Sequence, residues 1–244
     1  MILSRIRRWR SKVWPDQRGA IEALAARVAY LEQRVTNRRW AAVEEMGDYL
    51  VGAEVPGDYC EFGVYKGDTF QYAARLLAPA LPQMRYFAFD SFEGLPAPTG
   101  IDNVDGYSSN FHEGQFAVSV ENVRRRVAAS GADMSRIDFI EGWFDKTLTP
   151  ETATKLGLEK VAAAWIDCDF YESTVPVLDF LAPRLSVGSI LLFDDWRVFR
   201  NLPEFGQQRA TREWLERNPG LALRELFSFG HHGLAWTVSA LPDR

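Results

Sequence analysis

From Tyr59 onward the chain repeats one pattern: a short apolar run, an acidic or polar stop, then a stretch with helical spacing. The apolar runs fall at 59–64, 85–90, 137–141, 163–167 and 189–194. Runs this short suit strands buried on both faces rather than helices. Stretches near 69–77, 116–130, 174–182 and 206–217 carry helical periodicity. Strands alternating with helices predict an α/β fold, a mostly parallel sheet with helices on both faces. Two late runs, 223–229 and 234–238, flank the turn Gly230-His231-His232-Gly233. They predict a C-terminal antiparallel hairpin, which a plain dinucleotide-binding fold lacks.

The fourth and fifth runs end in paired acids. Residues 162–173 read A-A-A-W-I-D-C-D-F-Y-E-S, with Asp167 and Asp169; residues 189–196 read S-I-L-L-F-D-D-W, with Asp194 and Asp195. In open α/β sheets ligands bind at the carboxyl ends of the strands. If these two strands are neighbours, up to four carboxylates converge there. Like charges so close raise one another's pKa unless a cation neutralises them, and an all-oxygen donor set favours a hard ion such as Mg²⁺. The alternative is that Asp169 and one of the 194/195 pair only cap loops or accept hydrogen bonds.

The first strand runs into E-F-G-V-Y-K-G-D-T, Glu61 to Thr69. Gly63 and Gly67 let the backbone turn tightly and approach a ligand. The motif is not G-x-G-x-x-G, and Glu61 is ill suited to a pyrophosphate, which wants a bare helix N-terminus. S-adenosylmethionine, with its sulfonium and ammonium groups, suits an acidic loop better than NAD does. Asp90 closes the second strand, where an acid commonly accepts from ribose hydroxyls; capping of the following turn, Ser91-Phe92-Glu93-Gly94, is the other reading. Trp143, after the third strand, either lies against an adenine face or packs in the core.

Charge divides the chain. The first fifty residues carry ten Lys/Arg against six Asp/Glu, the remainder eighteen against twenty-seven. An acidic main domain is a poor nucleic-acid binder. Residues 1–14 hold Arg5, Arg7, Arg8, Arg10 and Lys12, with Ile2, Ile6, Trp9 and Val13 at helical spacing. Such a segment either contacts an anionic membrane surface or a partner, or is a solvated terminus. Ile21, Leu24, Val28, Leu31 and Val35 follow heptad spacing, which predicts a helix that forms a homodimer or higher homo-oligomer or packs on its own domain. The domain expectation is a basic, heptad-like helical arm over 1–38 and a main domain over 39–244. No apolar run of 18 residues exists and no apolar signal core follows the basic start; the two cysteines, Cys60 and Cys168, sit in apolar runs and do not suggest a disulfide framework. These features predict a cytoplasmic protein. Residues 97–115 are polar and aperiodic and read as a lid. His112 in that lid, and His231 and His232 in the hairpin turn, read as exposed turn residues or as substrate-facing bases.

Taken together the blocks E-F-G-V-Y-K-G, F-D-S-F-E-G-L-P, E-G-W-F-D-K-T-L, D-C-D-F-Y-E-S-T and F-D-D-W resemble the macrocin O-methyltransferase family, from about Trp40 to the C-terminus. The resemblance implies a class I, Rossmann-like methyltransferase fold and an S-adenosylmethionine- and Mg²⁺-dependent enzyme that methylates sugar hydroxyls on natural products. It makes Asp167, Asp194 and Asp195 the metal ligands and Asp169 the general base. Glu61, Gly63, Asp90 and Ser91 become cofactor contacts, joined by Gly67, Thr69, Ser119, Gly142 and Trp143. The N-terminal arm departs from the family pattern, and the lid differs in detail. The competing expectations are a catechol-type acceptor or a non-catalytic binding module on the same fold. A haloacid-dehalogenase-type phosphatase also uses D-x-D, but Tyr171 stands where that pattern has Thr or Val.

Overall fold

The computed structural model describes residues 15–104 and 111–242, without the side chains of 15–18 and 30–37. The basic stretch over 1–14 lies outside the described residues. The chain divides into two compact units, Met1–Arg38 and Arg39–Arg244. Helix α1 (Pro15–Gly52) begins with a proline, whose missing N–H is harmless in a first turn. Of its heptad positions, Leu24 is 63% and Val28 41% exposed; the side chains of Leu31 and Val35 lie outside the described set. The α1 residues from Arg39 onward belong to the larger unit, where Ala42, Val43, Met46 and Leu50 form a buried stripe at helical spacing.

The larger unit is a seven-stranded sheet in the order β3-β2-β1-β4-β5-β7-β6. Its strands are β1 (Asp58–Phe62), β2 (Tyr86–Asp90), β3 (Ile137–Glu141), β4 (Val161–Ile166), β5 (Leu185–Phe193), β6 (Ala222–Phe229) and β7 (Gly233–Ala240). β1 to β5 pair in parallel, and β7 joins β5 antiparallel before turning into β6. Strand order reverses between β1 and β4, which opens a crevice at their carboxyl ends.

Helices cover both faces. Tyr59 and Trp165 share one apolar cluster with Phe70 of α2 (Asp68–Leu77), Val123 and Val127 of α3 (Val120–Ala129) and the buried stripe of α1. Cys60, Phe62 and Ile166 point the other way. They meet Ala153 of α5 (Pro150–Leu156), Val177 and Leu178 of α6 (Tyr171–Leu181) and Trp214 of α7 (Gly206–Arg217). A further short helix, α4 (Phe144–Thr147), follows β3. β4, V-A-A-A-W-I, is buried at every position; its alanines leave room for helices on both sides, and fully burying Ile166 contributes roughly 1.5–3 kcal/mol. The cysteines are free and buried. Among the described residues no helix is long and apolar enough to cross a membrane.

The expected elements are present with shifted ends. β5 starts at Leu185 rather than 189, carrying Gly188 at positive φ within it. α3 starts at Val120 rather than 116, because Phe116 sits in the left-handed region at φ 68° and ends a turn. Among its described residues the lid segment carries a 3₁₀ turn (Gly100–Asp102).

Candidate active site

The sheet's carboxyl-end rim is stitched together by main-chain hydrogen bonds that continue past the strands. Gly142 N donates to Asp90 O, Gly63 N to Phe89 O, Asp167 N to Phe62 O and Asp194 N to Ile166 O, at 2.8–3.0 Å. The loops after β3, β2, β1, β4 and β5 are thereby held in one row. Gly63, at φ 86°, is where two of these loops touch: a Cβ there would lie 1.8 Å from the Asp167 carbonyl oxygen. No side chain fits.

Because β4 and β5 pair with Ile166 opposite Phe193, Asp167 and Asp194 emerge side by side. Oxygens of Asp167, Asp194 and Asp195 come within 4.8 Å of one another. Asp169 turns back toward them through a left-handed backbone (φ 58°), and its N–H donates to Asp195 Oδ2 at 3.0 Å. Asp195 is braced from behind. Its N–H donates to Gln207 Oε1 at 3.1 Å, and Gln207 Nε2 donates to Ile166 O at 3.0 Å, so one buried amide ties the ends of β4 and β5.

Crowding sets the electrostatics. Burial pushes Asp167 well above the usual carboxylate range, with Asp194 and Asp195 adding to it against the pull of Arg39. Asp195 is raised by burial and then by Asp169 and Asp194. Asp169 is pushed up to about 8 by burial and by Asp167 and Asp194. Arg39, from α1, answers part of this charge. Its Nε donates to Asp194 Oδ1 at 3.1 Å, its Nη2 donates to Asp194 Oδ2, and Nη2 lies 3.2 Å from Asp167 Oδ2. A cluster of oxygens that already draws in a guanidinium fits a hard cation.

The predicted cofactor residues lie along the neighbouring part of the rim, with different local roles. Glu61 is only 2% exposed and accepts from Tyr59 Oη at 2.6 Å. Burial raises its carboxyl well above the ordinary range, and Asp167 and Asp194 raise it further. Asp90 Oδ2 accepts from the N–H groups of Val64 and Tyr65 at 2.6 and 3.1 Å, and Oδ1 from Phe92 N at 2.7 Å. It shapes the Gly63–Gly67 loop as well as capping its own turn. Ser91 Oγ donates to Gly94 O and accepts from Glu93 N, closing that turn. Gly67, at φ 76°, precedes α2, and a Cβ there would meet Val123 at 3.0 Å. Thr69 is buried in the first turn of α2. Ser119 stands at the N-cap of α3 without a side-chain cap bond. Trp143 is half-buried at the start of α4. His112 is exposed, and His231 and His232 occupy the turn between β6 and β7.

The described ends of the segment over 97–115 are held in place beside this site. Leu95 N donates to Gln115 O at 2.8 Å and Gly114 N to Leu95 O at 2.9 Å, pinning its two ends. Phe111 packs edge-on to Phe170 with ring centres 5.2 Å apart. Asp102 is 1% exposed and accepts from Tyr171 N at 2.8 Å and Glu172 N at 3.1 Å. It therefore caps α6 from 69 residues away, beside the turn that carries Asp169.

Burial raises the Asp102 carboxyl from 3.8 to about 6, against its two backbone hydrogen bonds. A folded-state pKa above the unfolded one means the native protein holds the proton longer. Native stability should fall as pH rises from about 4 to about 6 and then level off, by at most about 3 kcal/mol. The check is the melting temperature of the wild type minus that of Asp102→Asn over pH 4–7. A difference that does not move with pH in that window excludes the shift.

Arg39, Asp102 and Gln207 were not among the residues singled out from sequence.

A family model described as Macrocin-O-methyltransferase (TylF) matches residues 16–217. The 8-demethyl-8-(2,3-dimethoxy-alpha-L-rhamnosyl)-tetracenomycin-C 4'-O-methyltransferase of Streptomyces olivaceus is 33% identical over 147 residues, covering 59% of this chain and 54% of its own length. The chain thus spans about half the length of that relative. Mycinamicin III 3''-O-methyltransferase of Micromonospora griseorubida is 30% identical over 191 residues, 76% of this chain and 70% of the relative. The solved structure of the O-methyltransferase NovP superposes with a TM-score of 0.67 at 25% identity, covering 83% of this chain and 80% of that one. The fold is that of class I S-adenosylmethionine-dependent methyltransferases, a mostly parallel sheet closed by antiparallel C-terminal strands. The family match takes in β1 through β5 and all four acids of the rim, and on it the chain belongs to the macrocin O-methyltransferase family.

Proposed function

We propose that the protein is an S-adenosylmethionine-dependent O-methyltransferase acting on a sugar hydroxyl of a small-molecule glycoside. In this reading Asp167, Asp194 and Asp195 hold Mg²⁺ and Asp169 is the general base. One observation carries it: two strand ends bring three carboxylates within 4.8 Å of one another, with the Asp169 main chain hydrogen-bonded to one of them, beside the glycine loop of a methyltransferase fold. The names of the two curated relatives agree, one acting on a rhamnosyl tetracenomycin and the other on mycinamicin III. The main domain of this enzyme is residues 39–244, with 1–38 as an added arm.

A sugar hydroxyl is a poor nucleophile at neutral pH. When bound, Mg²⁺ supplies Lewis acidity that orients and acidifies the hydroxyl, and S-adenosylmethionine supplies the electrophilic methyl. Asp169 would take the hydroxyl proton as the oxygen attacks the methyl carbon and S-adenosylhomocysteine leaves. Glu61 and Asp90 would offer oxygen acceptors to the donor's cationic and ribose groups. Gly63, Gly67, Thr69, Ser91, Ser119, Gly142 and Trp143 complete its binding surface. The lid, latched through Asp102 and Phe111, keeps water from the reacting atoms.

The test is methyl transfer from labelled S-adenosylmethionine over a panel of deoxysugar glycosides and catechols, with Mg²⁺ or with EDTA. The expected result is label on a glycoside that disappears in EDTA. Label on catechols alone overturns the sugar assignment, and transfer indifferent to EDTA overturns the metal.

A further inference from the structure

Arg39 stands where a divalent ion is wanted. Its Nη2 donates to Asp194 Oδ2 and lies 3.2 Å from Asp167 Oδ2, while Nε engages Asp194 Oδ1 at 3.1 Å. These are two of the three acids whose oxygens cluster within 4.8 Å. An ion shared by Asp167 and Asp194 through the oxygens that Arg39 engages would need the space its guanidinium fills. A guanidinium nitrogen and a metal ion cannot both fill that space. We infer that Arg39 is a built-in counter-cation that occupies the acid cluster in the metal-free protein and is displaced when a divalent ion binds. The inference rests on Asp167 and Asp194 being metal ligands.

The arrangement has a physical logic. Carboxylates this close repel one another in the absence of a cation. A side chain that neutralises them holds the rim together before metal arrives, at the expense of metal affinity. Removing it has two effects of opposite sign: the metal-free protein loses stability, and the metal meets no competitor. A purely structural arginine would lower stability with and without metal alike. An arginine that supports the site from outside the coordination sphere would, on removal, weaken metal binding.

Arg39→Met and Arg39→Lys in the full chain separate these cases. Mn²⁺ binding is followed by electron paramagnetic resonance of the free ion, and melting is measured in EDTA and in saturating Mg²⁺. The Met variant should bind Mn²⁺ at least about tenfold tighter, the scale set by losing charge-assisted hydrogen bonds. It should melt lower than wild type in EDTA and recover most of that loss in Mg²⁺. Lysine keeps the charge but loses the fork, so Arg39→Lys should fall between the two, and it decides the matter if the Met variant does not fold. Mn²⁺ affinity that is unchanged or weaker in the variants, with wild type binding normally, overturns the Arg39 role and leaves the metal site standing. No Mn²⁺ binding in wild type or variants removes the metal site itself, and this inference with it.

Discussion

Asp169→Asn should lower turnover by about 10²–10⁴-fold, the usual contribution of a general base, while S-adenosylmethionine and Mn²⁺ bind nearly as before. The amide keeps the size of the carboxylate and can still accept a hydrogen bond, but it cannot take a proton. The fold has reason to tolerate the change. Asparagine is among the residues that accept a left-handed backbone, and residue 169 sits at φ 58°. The hydrogen bond that fixes this turn runs from its main-chain N–H to Asp195, so it survives the substitution. Asp169 is not one of the three acids whose oxygens lie within 4.8 Å of one another. Single-turnover methyl transfer, with calorimetric binding of the donor and direct Mn²⁺ binding, makes the comparison. Wild-type turnover would take the base role away from Asp169; loss of Mn²⁺ binding would make it a ligand instead.

Asp194→Ala should have the largest effect on the metal. Side chains that only orient metal ligands typically change affinity by 10–100-fold when removed, so loss of a ligand should weaken Mg²⁺ binding by at least about 100-fold. Arg39 sharpens the expectation. With both Asp194 oxygens gone it retains Asp167, 3.2 Å away, and one of the remaining ligands is more fully engaged by the arginine. The Mg²⁺ concentration for half-maximal turnover should rise as the Mn²⁺ affinity falls. A variant whose Mg²⁺ requirement matches wild type has no missing ligand.

The parts of this site that could be read from sequence are those whose signal is local. A short apolar run ending in acids needs only its neighbours to declare a buried strand and its carboxyl end, which is why the sequence puts Asp167, Asp169, Asp194 and Asp195 at the ends of strands. Strand ends were less legible. β5 begins four residues before 189 because Ser186 and Gly188 break the apolar pattern where the pairing with β4 also shifts register, from Val161–Leu185 to Ala163–Ile190. α4 and α5 went unread because helices of four and seven residues are too short to show a period. The start of α5 nonetheless has a readable signature: Thr149 caps it by accepting from Thr152 N, with Pro150 in its first turn. What no local pattern could supply is the partner of a lone charged residue. Arg39 meets a carboxylate 155 residues away and Asp102 an amide 69 away. In sequence each is one ion among many, and only the closed sheet selects its partner.

The contact between Gly63 and the Asp167 carbonyl has a mechanical consequence. Two loops that touch backbone to backbone behave as a single stiff joint. The bend that would cradle the methyl donor cannot drift without dragging the acids that would hold the acceptor. Alignment between donor and acceptor then depends on the sheet and not on whatever closes above it, so changes of acceptor through lid substitutions should leave the line of attack intact.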